Sequence, residues 1–351
     1  MPCSPAYHAA RHTSAFIDLS VRGRIAVTGD DRASYLQGLL TNDITALPSG
    51  AGCYSAYLTP QGRMMADMQV LNLGVEVLLD VHPSVTAMLV DRLQEFVFTE
   101  DVTVEDRTTR WTAFGLHGPE SARVASDLLK LVQANGQGPE GPGVEAVLAI
   151  ARYPEYRHCG GRFEGAPVVV ARSDEIGERG FTLYTDATVG PLLADALVGA
   201  GATALDAATF DLLRVEAGRP AFPADLGPDT IPLEAGIEDR AISMTKGCYV
   251  GQEVIIRILH RGQGRVGRRL VGLVFEPSAE PPDVGVSLTG REDAQPVGVI
   301  TSAVWSPALG RPIALGYVKR ELAEVGTELV AGVGGRQLAG VITARPFLPE
   351  S

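Results

Sequence analysis

The chain has 351 residues, a formal net charge of −12 and 45% hydrophobic residues. This length exceeds that of one ordinary hydrophobic core, so we expect two or three packed units. The acidic balance argues against broad binding to nucleic acids or anionic membranes, and the N-terminus lacks the segments of a signal peptide, so we expect a cytoplasmic protein that does not bind membranes.

The first part of the chain predicts alternating strands and helices. Residues 25–28 predict a short strand, and residues 32–40 predict a helix because their apolar side chains recur at helical spacing. Residues 54–58 and 63–73 alternate in polarity on either side of a Thr-Pro-Gln-Gly turn, which predicts a hairpin. A second cycle of strand and helix begins at Trp111.

The later part of the chain changes in character. Residues 206–217 predict a helix that Gly218 ends, and a connection rich in proline and glycine follows. Beyond Arg269, short alternating segments between glycine and proline turns predict a small all-β barrel or sandwich. The mixed elements before it predict an α+β fold with antiparallel sheets. Neither G-x-G-x-x-G after a strand nor a Walker A motif occurs, so nucleotide binding is not indicated.

The most informative segment is the octapeptide of residues 246–253, Lys-Gly-Cys-Tyr-Val-Gly-Gln-Glu. Cys248 lies two residues after Lys246, and a nearby cation or helix N-terminus favours the reactive thiolate. The alternative is that Cys248 is a small buried apolar side chain, the usual state of a lone cysteine. The other members of the motif, which can turn the backbone or cap the next element, are Gly247, Tyr249, Gly251, Gln252 and Glu253.

The remaining candidate patterns are weaker. The four cysteines are widely spaced without a C-x-x-C pair, so the sequence predicts neither a metal site nor a disulfide framework. Residues 254–275 contain five arginines, one histidine and no acidic residue. This basic stretch suits a small anionic ligand, or else forms a solvated strand face or internal ion pairs. A nucleic-acid interface is not indicated, because aromatic residues do not alternate with these cations.

Several segments together resemble the YgfZ family of folate-binding proteins, which are relatives of the glycine-cleavage aminomethyltransferase, the T-protein. The octapeptide resembles the family motif K-G-C-[FY]-x-G-Q-E. Weaker matches cover nearly the whole chain, at residues 31–44, 58–69, 214–220, 232–236, 301–302 and 314–318. The resemblance implies two interleaved α+β lobes around a central channel over residues 1–268, and a C-terminal β-barrel over residues 269–351.

The resemblance also implies a function. YgfZ-type proteins bind tetrahydrofolate and support the assembly or repair of iron–sulfur clusters, so the implied partners are folate and iron–sulfur client proteins or assembly machinery. Cys248 matches the cysteine on which that role depends. Glu216 matches the carboxylate that contacts the pterin in the T-protein, unless it is a surface charge at a helix end. Arg257 and its basic neighbours suit the anionic glutamate tail of folate.

One departure bears on a second function, a folate-dependent aminomethyltransferase or demethylase. The T-protein uses an Asp-Asp pair in its first hairpin to position and activate the one-carbon donor. Here Ala66 and Asp67 occupy these places. The loss of one carboxylate argues against transfer from a protein-bound aminomethyl group, and leaves Asp67 as a folate contact or a solvent-facing hairpin residue.

Overall fold

The structure is a computed structural model that describes residues 4–132, 152–262, 264–277, 279–291, 295–333 and 336–349. Its strands are β1 (Ala15–Asp18), β2 (Gly23–Thr28), β3 (Gly52–Leu58), β4 (Met64–Asn72), β5 (Val77–Val81), β6 (Thr103–Asp106), β7 (Trp111–His117), β8 (Lys130–Val132), β9 (His158–Phe163), β10 (Ala166–Ser173), β11 (Gly180–Asp186), β12 (Thr203–Ala204), β13 (Arg268–Phe275), β14 (Ser287–Thr289), β15 (Pro296–Ser306), β16 (Arg311–Lys319), β17 (Glu328–Val333) and β18 (Arg336–Thr343). Its α-helices are α1 (Pro5–His12), α2 (Arg32–Leu39), α3 (Thr86–Glu95), α4 (Ser121–Leu128), α5 (Gly190–Gly199), α6 (Ala207–Glu216), α7 (Pro232–Ala235), α8 (Glu238–Ala241) and α9 (Gln252–His260), and two 3-10 turns lie at Pro83–Val85 and Arg320–Leu322.

The first lobe is an antiparallel five-stranded sheet in the order β3-β4-β5-β2-β6. Successive side chains of a strand point to opposite faces, so each strand divides its residues between two environments. On β4, Ala66, Met68 and Val70 join the apolar cluster that α2 and α3 close. Asp67 therefore belongs to the other face of the sheet.

The second lobe is a seven-stranded sheet in the order β12-β1-β7-β11-β10-β9-β8, antiparallel except for the pairing of β1 with β12. Helices α4 and α5 cover one face with an apolar cluster that includes Val124 and Leu193. The opposite face contributes Ala113 and Tyr184 to a central cluster that also contains Leu78 of the first lobe. The free faces of the two sheets thus share one core, and β1 lies in the second sheet although it precedes the first lobe in sequence.

The C-terminal unit is a closed barrel in the order β13-β16-β15-β14-β17-β18 with its own apolar interior. Helix α6 packs on β15 and β16, and α7 packs on β13. The predicted fold class, mixed α+β with antiparallel sheets and a C-terminal barrel, is confirmed. Within the described ranges, no helix is long and apolar enough to cross a membrane.

Candidate functional site

A cavity of about 110 Å³, partly open to solvent, lies between the two lobes. The first sheet lines it with the face opposite to its helices, and the second lobe and the connection after α6 complete the wall. Its polar lining includes Tyr54, Asp67, Gln69, Glu175, Arg219 and Arg240.

The carboxylate of Asp67 faces this cavity from β4. The hydroxyl of Tyr54, on the neighbouring strand β3, donates a hydrogen bond of 2.6 Å to its Oδ2. Burial raises the pKa of Asp67, and the Tyr54 hydrogen bond and the Arg22 charge oppose this effect. A partly buried carboxyl with a raised pKa and one oriented hydrogen-bond partner is suited to exchange a proton with a ligand.

The neighbouring Ala66 points to the other side of the sheet, where it is fully buried in the helix-covered cluster. An aspartate at this position would place a charge in an apolar environment. The carboxylate that this chain retains is therefore the one that faces the cavity. The departure from the Asp-Asp pair removes no cavity group in this structure, so it weighs less against transferase chemistry than the sequence indicates.

A second carboxylate, Glu175, reaches the cavity from the loop between β10 and β11 of the other lobe. The Nε2 of Gln69 donates to its Oε1, and the Tyr184 hydroxyl donates to Gln69 at 3.4 Å and to Asp80 at 2.9 Å. Arg22 pairs with Asp80. Burial raises the pKa of the Glu175 carboxyl. The hydrogen bonds through Gln69 and Tyr184 connect this carboxylate to both sheets.

The sequence analysis missed Glu175, because the sequence of a loop does not predict which cavity its side chains will line. Gln69 could have been found, since it lies two residues after Asp67 on a predicted strand and must share its face.

An adjoining cavity of about 320 Å³ shares Arg219, Pro220 and Arg240 with the first. Arg240 pairs with Glu155 at 2.9 Å, so their charges compensate. Arg345 also lines this space, and its guanidinium donates to the backbone carbonyls of Gly218 and Ala235. Across the described ranges, Arg219 and Arg345 form no ion pair with a carboxylate. This second space therefore carries an excess of positive charge that suits an anionic group.

Glu216 does not line either cavity within the described part of the chain. Its side chain is fully buried at the end of α6. Its carboxylate accepts hydrogen bonds from the Tyr7 hydroxyl at 2.8 Å, from Arg11 at 2.5 Å and from the Ser306 hydroxyl. The structure thus places Glu216 in a clamp between α1, α6 and barrel strand β15. This position differs from both alternatives that the sequence left open, a pterin contact and a surface charge.

Arg257 is exposed on α9 and is not among the residues that line the two cavities. The basic stretch is not one surface, because residues 252–260 are helical and β13 begins at Arg268. Arg268 pairs with Glu234 at 3.0 Å and lies over the ring of Tyr317, which fits the alternative of internal ion pairs.

Cys248 is exposed, whereas burial raises the pKa of Cys53 to about 12 and that of Cys159 to about 11. The Cys248 thiol is therefore open to reagents and partners. Within the described ranges no octapeptide residue lines either cavity, so the thiol and the cavities are separate features.

The Lys246 ammonium donates to the backbone carbonyls of Gln37, Leu40 and Asn42 at 2.6, 2.6 and 2.9 Å. An ammonium has three N–H donors, so these carbonyls use all of them. Burial lowers the pKa of Lys246 to about 8. The carbonyls lie at and beyond the C-terminal end of α2, where a cation is favourable. The geometry thus assigns the ammonium to α2 and shows no hydrogen bond from it to the thiol.

The other motif residues hold the segment in place. Gly251 has a φ of 84° and precedes α9, and a Cβ atom there would lie 2.5 Å from the carbonyl oxygen of Thr59 in the β3–β4 turn. Gly247 has no neighbour within 4 Å of such an atom. Tyr249 is buried against the Lys246 ammonium. Gln252 and Glu253 form the first turn of α9, where an acidic side chain is favourable.

The fold agrees with the comparisons to known proteins. Residues 4–246 match the family described as GCVT N-terminal domain, and residues 268–348 match the glycine cleavage T-protein C-terminal barrel domain. The chain belongs to the glycine cleavage T-protein family. This family uses tetrahydrofolate, as the sequence resemblance implies.

Individual relatives cover most of the chain. A chloroplastic "putative transferase" of Arabidopsis thaliana is 30% identical over 95% of this chain and 71% of its own length. An aminomethyltransferase of Cutibacterium acnes is 30% identical over 98% of this chain and 90% of its own. The crystal structure of the glycine cleavage system aminomethyltransferase T from Bartonella henselae superposes with a TM-score of 0.84, at 23% identity over 98% of this chain and 89% of that one, which shows the shared fold.

Proposed function

We propose that this protein binds tetrahydrofolate in the interlobe cavity and acts as a one-carbon transferase, an aminomethyltransferase or a related demethylase. The observation that carries the proposal is the partly buried Asp67 carboxylate, which Tyr54 orients in the cavity between the two lobes. The relative from Cutibacterium acnes is named aminomethyltransferase, which supports the same proposal.

The residues present fit a reduced folate. Tyr54, Tyr156, Phe210 and Phe222 give the cavity apolar ring surfaces against which a flat bicycle can pack. Carboxylates in the wall can accept the N–H donors of a pterin. The cationic excess of the adjoining space suits the carboxylates of the glutamate tail. We therefore assign the tail to this space rather than to Arg257, which is exposed on α9.

The amine nitrogens of tetrahydrofolate would accept a carbon at the oxidation level of formaldehyde from an aminomethyl donor, which releases ammonia and its carrier group. In the demethylase case they would accept an intact methyl group, so neither transfer needs an added oxidant. Asp67 holds or accepts a proton at its free carboxylate oxygen, and the hydroxyl of Tyr54 fixes the orientation of that carboxylate.

Calorimetry with tetrahydrofolate and a turnover assay with aminomethyl donors test the proposal. Asp67→Asn keeps the shape and removes the charge, so we expect turnover to fall by about 100- to 10,000-fold, the usual contribution of acid–base catalysis. The exposed Asp30→Asn is the matched control. Full turnover by Asp67→Asn, or a wild-type protein that does not bind tetrahydrofolate, would contradict the proposal.

A second candidate function is suggested by the exposed thiol of Cys248, which lies between the two segments that match the family. We propose, as a narrower YgfZ-type hypothesis, that the protein supports iron–sulfur cluster assembly or repair in client enzymes through this thiol. No group of three or more His, Cys, Asp or Glu residues that could hold a metal ion occurs in the described ranges. The thiol would therefore act on a client or on assembly machinery. Both candidates are proposed for the cytoplasm.

Substituting Cys248 by Ala tests this second candidate in cells. We expect cluster-dependent enzymes to lose activity while the purified variant keeps its melting temperature and its affinity for tetrahydrofolate. Cys3→Ser is the matched cysteine control. Undiminished client activity with Cys248→Ala would remove this candidate and leave the transferase proposal standing.

A further inference from the structure

The interlobe cavity needs a group that recognises the pterin end of a folate, and the residue that the family resemblance implies is not in its wall. The Glu216 carboxylate is fully buried and already accepts hydrogen bonds from Tyr7, Arg11 and Ser306. A ligand in the cavity would have to displace a charged pair and two hydroxyls to reach it. The structure therefore leaves the recognition of the pterin to another group.

We propose that Glu175 is the carboxylate that binds the amino-pyrimidinone edge of the reduced pterin, an assignment that rests on the proposed folate-binding function. That edge presents two adjacent N–H donors, from the 2-amino group and the neighbouring ring nitrogen. A carboxylate accepts such a pair with high directionality.

The environment of Glu175 orients it for this contact. The Gln69 amide donates to Oε1, and Gln69 is held in turn by the buried hydroxyl of Tyr184, which also donates to Asp80. These contacts join the β10–β11 loop of one lobe to β4 and β5 of the other. The carboxylate is thus fixed at a position where both lobes meet, and it lines the cavity.

The two cavity carboxylates then take different ends of the ligand. Asp67 and Gln69 are two residues apart on one face of β4, and Gln69 contacts Glu175, so the two carboxylates come from different lobes and share one space. Asp67 is bonded to Tyr54, whose ring contacts Arg240, and Arg240 also lines the cationic space. In this assignment Glu175 takes the amino-pyrimidinone edge, and Asp67, which Tyr54 orients, faces the reactive amines of the folate.

Calorimetry on the full chain tests the assignment with three probes: tetrahydrofolate, its 2-desamino analogue and p-aminobenzoylglutamate, which is the tail without a pterin. For Glu175→Gln we expect the affinity for tetrahydrofolate to fall about 10- to 100-fold, as the loss of charge-assisted hydrogen bonds predicts. The affinity for p-aminobenzoylglutamate should not change. Removing the 2-amino group should weaken binding to the wild type and have little further effect on Glu175→Gln.

Two variants serve as controls. Asp174→Asn changes the adjacent carboxylate, which pairs with Arg172 outside the cavity lining, and Glu216→Gln changes the residue that the resemblance implies. Both should bind tetrahydrofolate as the wild type does. Wild-type affinity in Glu175→Gln, or the loss in Glu216→Gln instead, would overturn the assignment while the proposed function stands. A wild-type protein that does not bind tetrahydrofolate would overturn both.

Discussion

Burial makes the charge of Asp67 unfavourable in the folded protein when no ligand is bound. Its pKa is raised because the cavity wall removes the carboxylate from water, and the Tyr54 hydrogen bond and Arg22 offset only part of this. A carboxylate whose charge is destabilised by burial does not improve packing, and such groups are typical of functional sites. Stability and function should therefore respond in opposite directions when the charge is removed.

Asp67→Asn should raise the free energy of unfolding at pH 7, because the neutral amide avoids the desolvation of a carboxylate and can still accept from Tyr54. The folded-state pKa is raised above the unfolded value, so the folded protein binds more protons between the two values. The gain from Asn is therefore largest above the raised pKa and shrinks as the pH falls through it. Urea unfolding over a pH series measures this. A loss of stability at pH 7 would contradict the expectation.

Lys246 presents the opposite case, a charged motif residue whose contacts are structural. Lys246→Met should lower the free energy of unfolding by about 2–3 kcal/mol, because three carbonyls near the end of α2 lose their donor. The pH profile of Cys248 alkylation, measured with Cys3→Ser as background, should stay unchanged. A shift of that profile to higher pH would instead show that the ammonium activates the thiol.

At the scale of elements, the octapeptide places the start of α9 against the hairpin that contains Asp67. Gly251 ends the octapeptide turn with a positive φ and lies against the β3–β4 turn, which only a residue without Cβ permits. The segment with the exposed thiol is therefore placed by the same hairpin that forms one wall of the cavity.

The two glycines of the motif should differ in tolerance. Gly251→Ala should lower the free energy of unfolding by about 1–3 kcal/mol, from the strained backbone and the contact with Thr59. Gly247→Ala should change it by less than about 0.5 kcal/mol, because open space surrounds the position. Thermal and urea unfolding of the pair decide this. If both substitutions changed the free energy of unfolding equally, the contact between Gly251 and Thr59 would not stabilise the turn.

At the scale of the whole molecule, buried polar networks join the lobes and the barrel. The Glu216 clamp connects α1, α6 and β15. Arg214 pairs with Asp225 at 2.7 Å and donates to Ser302 of the barrel at 2.9 Å, which makes a second connection. Since buried charges are costly unless paired, these networks specify one arrangement of the three units.

Glu216→Gln should lower the free energy of unfolding by about 2–4 kcal/mol, because Arg11 loses one of its two carboxylate partners. The exposed Glu253→Gln should have little effect. Urea unfolding followed by the fluorescence of Trp111 and Trp305, one in each of two different units, also reports whether the units separate. Unchanged stability would mean that the clamp does not hold the barrel to the lobes.

Much of the architecture followed from local patterns. The hairpin of residues 54–73 and the helix before Gly218 were predicted by alternation and capping, and both are present as β3, β4 and α6. The basic stretch was not resolved correctly, because its first part is a helix and its second a strand. The position of Asp67 was left open between ligand and solvent, and the structure places it in the cavity wall.

The sequence by itself determined the α+β fold class and a C-terminal all-β unit, because these depend on periodicity and on residues close in the chain. Only the tertiary structure decided which carboxylates share the cavity. Glu175 and Asp67 come from different lobes, and Glu216 lies two residues from the cavity-lining Arg214 yet lies outside the described cavity lining, in contact with α1 and the barrel. Residues two apart on a helix do not share a face, and only packing between distant segments sets which face lines the cavity.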